Sequence, residues 1–189
     1  MAATGRKHMN EALHRRGLLA CAGLAALGAA RADDEAAAKP ARPPLERVAP
    51  DASLGRQLDG SEPRLSDYEG RVVVVSFWAT WCPYCREEFP YLDALQRAGR
   101  DRLQVVSVNT EERDVFRKVA RLLSEQVKLT LTYDPAKASR KAFEAPGSLP
   151  YSVILHRDRS VAGIKTGWGE GSLKNLVATV NAALAADAA

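Results

Sequence analysis

The chain has 189 residues, 46% hydrophobic and 26% charged, the balance of a protein that folds around a core rather than of a disordered or fibrous chain. Its formal net charge is +4, yet residues 1–32 hold five basic groups (Arg6, Lys7, Arg15, Arg16, Arg31) against one acid (Glu11), so residues 33–189 are formally neutral. A neutral body lacks the basic footprint that nucleic-acid binding requires.

Residues 1–32 read as an export signal. A basic lead ending in Arg15-Arg16 precedes an apolar run from Leu18 to Ala30 and then Ala30-Arg31-Ala32, a small-x-small cleavage pattern. The run is far shorter than the roughly 20 residues a membrane span needs, so the mature form is expected not to span a membrane. Arg15-Arg16-Gly17-Leu18-Leu19 loosely resembles a twin-arginine signal, which leaves the export route open. Leu18-Leu19-Ala20-Cys21 resembles a lipoprotein box, but Cys21 sits near the start of the apolar run instead of after it, which argues against a lipid anchor. Residues 33–52, with Pro40, Pro43, Pro44 and Pro50, read as an Ala/Pro-rich flexible linker.

From Ser53 to residue 187 the pattern is that of a folded domain. Asp59-Gly60 marks a turn between two short extended pieces, a hairpin signal. Ser66 is placed to cap a short helical turn ending near Gly70. "RVVVVSFW" has no polar alternation, as a strand covered on both faces would not. A helix is expected from Pro83 to about Ala98, with Phe89, Leu92 and Leu95 on one side and Pro90 kinking it. "LQVVSVN" is a second core strand, after which Asn109 or Thr110 caps a helix with Val115, Val119, Leu122 and Leu123 inward. "KLTLTYD" reads as a strand, Pro135 to Phe143 as a short helix, and "YSVILH" and "SVAGIKTG" as two strands joined at Arg157-Asp158-Arg159. Ser172 to Ala186 closes the chain as a helix with Leu173, Leu176, Val177, Val180 and Leu184 inward. Alternation of strand and helix followed by a hairpin and helix implies an α/β fold, a central mixed sheet flanked by helices.

Chemistry concentrates in Cys82-Pro83-Tyr84-Cys85, the only cysteines once the leader is gone. A closed zinc site needs four ligands, and beyond residue 32 the chain offers two thiols and His156, so no metal is expected. As a staple, a disulfide closing four residues contributes only about 2 kcal/mol. A reactive pair fits better. Cys82 follows a buried strand and opens a helix, where unpaired amide N–H groups and the dipole favour a thiolate. Pro83 falls where a missing N–H costs nothing. Cys82 is then the attacking sulfur, exposed at the helix tip, and Cys85, one turn in, resolves the mixed disulfide. Glu88, three residues past Cys85, shares its inward face, while Glu87 turns to solvent. A half-buried Glu88 is placed either to exchange a proton with Cys85 or to complement the helix dipole. Ser76, on the preceding strand, points to the same region as a structural hydroxyl.

Trp78-Ala79-Thr80-Trp81-Cys82-Pro83-Tyr84-Cys85 with Glu88-Phe89-Pro90 resembles the thioredoxin superfamily, and more narrowly the exported TlpA/ResA-type thiol-disulfide oxidoreductases. The likeness covers roughly Ser53 to Ala186. It implies a thioredoxin-like fold with an N-terminal β-hairpin extension and an insert after the second core strand. It also implies a cis-proline facing the disulfide, which Ser148-Leu149-Pro150-Tyr151 matches at Pro150, and a conserved cavity glutamate, which Glu88 matches. Trp81, Pro83, Tyr84 and Leu149 are the expected substrate-facing residues.

By this resemblance the protein is a periplasmic disulfide reductase without a cofactor, kept reduced by a membrane electron-donor thiol protein. Its substrates are exported protein disulfides, such as apocytochrome c in cytochrome c maturation or a copper-site assembly protein. Pro83-Tyr84 departs from the family, which usually has proline directly before the second cysteine. Pro-Tyr is glutaredoxin-like, and glutaredoxins sit near −200 to −230 mV against about −270 mV for thioredoxin, which leaves the direction of electron flow open. The sequence around the pair is not glutaredoxin-like, which argues against glutathione as partner. Two other readings use the same cysteines: a disulfide oxidant or isomerase, and a Cu(I) metallochaperone binding through both thiolates.

Overall fold

The structure, a computed structural model, describes residues 44–186. The export signal, Cys21 and most of the expected linker lie outside the described residues.

Five strands form one mixed sheet in the order β3-β2-β1-β4-β5. They are β1 (Val72–Trp78), β2 (Leu103–Asn109), β3 (Thr130–Tyr133), β4 (Tyr151–Leu155) and β5 (Val161–Thr166). Helices α1 (Pro83–Gly99) and α2 (Arg113–Gln126) cross over between the parallel strands β1, β2 and β3. A short α3 (Ala138–Ala142) precedes β4, which runs antiparallel to both β1 and β5, and α4 (Glu170–Ala186) ends the described chain. The expected insert after the second core strand is α2 with β3, which adds the outermost strand on that side.

β1 is central and buried along its whole length, which is why its valine run shows no alternation. Its residues still divide by parity. Val72 and Val74 pack with Leu103, Val105 and Ile154 under Leu92 of α1 and Leu176, Val180 and Ala183 of α4. Val73, Val75 and Phe77 face the other way, onto Val106, Val108, Val153, Phe143 and the N-terminal segment. Each face thus has its own apolar layer, the α/β arrangement expected from the strand–helix alternation.

The N-terminal hairpin is present as a hydrogen-bonded reversal without ladder strands. Leu54 N–H donates to the Pro63 carbonyl (2.9 Å) and Leu65 N–H to that of Ala52 (3.0 Å), with one bridge between Ser53 and Arg64. Gly55 lets it lie against β3: its φ is +87°, and a Cβ there would stand 2.6 Å from the Tyr133 carbonyl oxygen. The next turn is a 3-10 helix, Leu65–Tyr68. Its entry is held by Asp67, which accepts the Arg64 N–H at 2.8 Å, and Ser66 lies inside it rather than capping it.

Two further expectations are corrected. Within the stretch read as linker, the chain from Leu45 on is packed against the sheet. Val48 N–H donates to Arg159, Val161 N–H donates to Glu46, and Val48 and Ala52 are buried in the core. Three apolar side chains suffice to anchor a stretch whose composition otherwise reads as linker. In α2, the cap is Glu112 and makes no side-chain bond. Asn109 Oδ1 accepts the Glu111 N–H, and Thr110 Oγ1 donates to the Trp78 carbonyl. The buried positions are Phe116 and Ala120; Val119 and Leu123 pack against their cluster as expected, whereas Leu122 is 60% exposed. Phe116, whose ring lies 5.4 Å from Tyr133 and 6.4 Å from Trp78, sets the rotation of the helix because it is the largest apolar group on it.

Candidate active site

β1 delivers the chain to the site. Its last residue, Trp78, is buried against Phe89 of α1 (5.0 Å, edge to face) and Phe116, and its Nε1 finds no hydrogen-bond partner. The loop after it is tied to the end of β2. Glu111 accepts the Thr80 N–H (2.5 Å) and Thr80 hydroxyl (2.9 Å), and Asn109 Nδ2 donates to the same carboxylate (3.2 Å). Thr110 N–H donates to the Trp78 carbonyl at 2.9 Å. The cysteines therefore leave a loop clamped at its base.

Cys82 is the N-cap of α1 and Pro83 its first residue. The Cys82 sulfur accepts the Cys85 N–H at 3.2 Å, the bond a capping serine would accept elsewhere. In this oxidised structure the two sulfurs are bonded, with Cα atoms 5.4 Å apart. Trp81, Pro83 and Tyr84 are exposed around them, Leu149 packs against the cluster that contains both cysteines, and the Leu149–Pro150 peptide is cis, as the resemblance implied.

The expectation that Cys82 stands exposed at the helix tip is corrected: the residue is 2% exposed, as is Cys85. The cause is visible in the geometry, since the sulfur turns inward to the Cys85 amide and the Cys85 sulfur, below the exposed Trp81 and Tyr84.

Glu88 is more deeply placed than the expected half-buried carboxyl. It is 1% exposed. Its Oε1 accepts from Lys165 Nζ (2.9 Å) and the Ser152 hydroxyl (3.2 Å), whereas Oε2 makes no hydrogen bond. Burial pushes its pKa up, and Lys165 and Ser152 pull it part of the way back. Glu87 is exposed.

Beneath Glu88 runs a polar row across an otherwise apolar sheet. Ser107 pairs with Ser76, Ser76 with Ser152, and Ser152 with Lys165, so all four side chains share the α1 face. The sequence reading missed Lys165 and Glu111. A signal existed for the first: "VVVVSFW", "LQVVSVN" and "YSVIL" each carry one serine, and aligning those serines leads to Lys165 on the next strand. Among the described residues no group of three or more His, Cys, Asp or Glu could hold a metal ion, and no helix is long and apolar enough to cross a membrane.

This site can exchange a disulfide, and comparison with known proteins agrees. Residues 45–181 match the model of the Redoxin family. The chain is 34% identical over 122 residues to thioredoxin-like protein YneN of Bacillus subtilis (strain 168), covering 63% of this chain and 69% of that one. It is 32% identical over 123 residues to thiol-disulfide oxidoreductase ResA of Geobacillus kaustophilus (strain HTA426), covering 64% and 68%. A Chlorobium tepidum crystal structure, assigned as thiol:disulfide interchange protein DsbE, superposes with a TM-score of 0.63 at 28% identity, covering 75% of this chain and 98% of that one. With Cys82 and Cys85 as its redox pair, the chain belongs to the Redoxin family of the thioredoxin superfamily and is a ResA-like thiol-disulfide oxidoreductase.

Proposed function

We propose that the protein reduces disulfides of exported proteins, with cytochrome c maturation or copper-site assembly as its setting. The observation that carries this reading is the Cys82 sulfur at the N-cap of α1, accepting an amide N–H and joined to Cys85. In the reduced protein the same amide and the helix dipole favour the Cys82 thiolate. That thiolate attacks a substrate disulfide. A bond forms between Cys82 and one substrate sulfur, and the other leaves as a thiolate and takes a proton from water. The Cys85 thiol then gives its proton to Glu88, and its sulfur attacks Cys82. The mixed disulfide breaks, the second substrate sulfur leaves, and the Cys82–Cys85 bond closes. Two electrons pass to the substrate, and an external thiol donor at the membrane restores the dithiol.

Leu149, which packs on the cluster holding both cysteines, and the cis Pro150 after it are assigned to face the substrate, and Trp81, Pro83 and Tyr84 to offer an exposed rim for its backbone. Residues 1–32 serve as the export signal that puts this site in an oxidising compartment, where a reductase needs a dedicated donor.

The test is trapping. With Cys85→Ser the resolving sulfur is gone, so Cys82 should retain exported substrate proteins as stable mixed disulfides that reductant releases. Recovery of free protein alone, from cells where the unaltered protein is active, counts against the reading. The Pro83-Tyr84 pair supports a second reading, an oxidant or isomerase using the same cysteines. The equilibrium potential divides the two: a value well below the compartment's poise fits a reductase, and one near −120 mV, about that of a strong oxidant, fits the alternative.

A further inference from the structure

β5 is an edge strand with an inverted pattern. Ile164 points into solvent at 43% exposure while Lys165, its neighbour, is buried at 5%. Lys165 reaches under α1 to Glu88, 2.9 Å away, and Trp168 covers it with its ring centroid 5.4 Å from Nζ. Tyr91 of α1 packs on Trp168 (5.7 Å), which closes the site over the ion pair. Such a pair is a poor stabiliser, because desolvating two charges costs about as much as their attraction returns. Apolar side chains at both 88 and 165 would pack at less cost. The arrangement is therefore better explained by what it does to Glu88.

We propose that Lys165 is a positioning residue for the thiol–disulfide reaction: it pins Oε1 of Glu88 and keeps the carboxylate charged, leaving Oε2 to receive the Cys85 proton. The proposal rests on the proton-accepting role given above to Glu88. The geometry divides the carboxylate in the way this requires. Oε1 is taken by Lys165 and Ser152, and Oε2 is buried and unpartnered, on the same helix face as Cys85 and one turn further along. The groups around Glu88 leave Lys165 as its charged neighbour. Its own helix brings Cys82 and Cys85, with Glu87 turned to solvent. β1 and β4 bring Ser76 and Ser152 from the sheet, and on α4 the charged Glu170 and Lys174 are exposed. Without Lys165 only the Ser152 hydrogen bond opposes the burial of Glu88, and its carboxylate stays protonated to higher pH.

The experiment follows the reduced protein reacting with one equivalent of 5,5′-dithiobis(2-nitrobenzoate). Attack by Cys82 releases the first aryl thiolate, and ring closure by Cys85 releases the second. In the unaltered protein the second phase should quicken with rising pH as Glu88 ionises. Lys165→Met should slow that phase about tenfold or more at pH 7 and move its pH dependence upward, with the first phase unchanged. Lys165→Arg should restore most of the rate. If Lys165→Met does not fold, Lys165→Gln, which keeps a donor and much of the volume but no charge, should show the same slowing. Glu88→Gln should slow the second phase and leave only the rise with pH that ionisation of Cys85 itself gives. A normal second phase in a folded Lys165→Met or Lys165→Gln protein, with Glu88→Gln slow, overturns the role of Lys165 alone. A normal second phase in Glu88→Gln removes the role of Glu88 on which it rests.

Discussion

Lys165 Nζ lies 2.9 Å from Glu88 Oε1, and both side chains are almost wholly withdrawn from water beneath the helix that carries the cysteines. The two residues are 77 positions apart, on an edge strand and a helix that meet only because β5 pairs with β4. Such a pair is asymmetric in its energetics: losing one partner strands the other charge, while losing both does not.

A stability cycle tests that asymmetry. Glu88→Met or Lys165→Met alone should lower the unfolding free energy of the oxidised protein by about 3–5 kcal/mol, whereas the double substitution should stay within about 1–2 kcal/mol of the parent. Urea titration of the four proteins measures it. Additive losses would show that the two side chains do not act as a pair.

A second carboxylate ties α1 to the chain beyond α2. Asp93 accepts the Lys128 N–H through Oδ1 and the Arg97 guanidinium through Oδ2, each at 2.6 Å. Burial works to raise its pKa, but the Lys128 amide and Arg97 outweigh it and hold the carboxyl below its usual range. A carboxyl so depressed contributes stability above its unfolded value, about 3.9, and loses that contribution as pH falls through the folded value. Asp93→Asn should therefore be less stable than the parent at pH 7, with the difference shrinking below about pH 4. Thermal melts from pH 2 to 7 read this. A difference constant across that range would contradict it.

In α2, Phe116 and Leu122 offer a matched comparison. Phe116→Ala empties a fully buried site touching Trp78 and Tyr133 and should cost about 3–5 kcal/mol. Leu122→Ala changes an exposed side chain and should fall within about 0.5 kcal/mol of the parent. Equal losses would mean that the helix is rotated from its observed setting.

Gly55 holds the N-terminal reversal against β3. Gly55→Ala places a methyl group 2.6 Å from the Tyr133 carbonyl oxygen at a φ that L residues avoid, and should cost about 1–3 kcal/mol. Because the strain is local, the Cys82–Cys85 exchange rate should be unchanged. A neutral effect on the melting temperature would show that this reversal is free to shift.

These residues also show how far the sequence reaches. Strand and helix order was legible because β1, β2 and β4 are short apolar runs and α1 and α4 carry apolar residues at helical spacing. Cys82, Pro83 and Cys85 were legible because one helix turn places them. The position of Glu88 came from its spacing to Cys85, but its depth did not, since that depends on β4 and β5, whose Ser152 and Lys165 bond it. Lys165 was hidden because its inward orientation depends on strand register, and in "SVAGIKTG" either parity offers apolar side chains. The facing of α2 was legible only in part, at Val119 and Leu123: several leucines and valines compete for the inside, and Phe116 decides only once Tyr133 and Trp78 stand beside it. The concealment of Cys82 reflects its bond to Cys85, a tertiary state that no local pattern reports.

Every step of the exchange depends on the ionisation of Cys82. In the reduced protein, the rate of alkylation by iodoacetamide as a function of pH, with Cys21→Ser and Cys85→Ser to leave Cys82 as the one thiol, gives the ionisation of that sulfur. The N-cap position predicts a midpoint well below the free-thiol value of about 8.5, and rapid labelling at neutral pH once the disulfide is open. A midpoint at or above that value, or a Cys82 that resists labelling in the folded reduced protein, would contradict it.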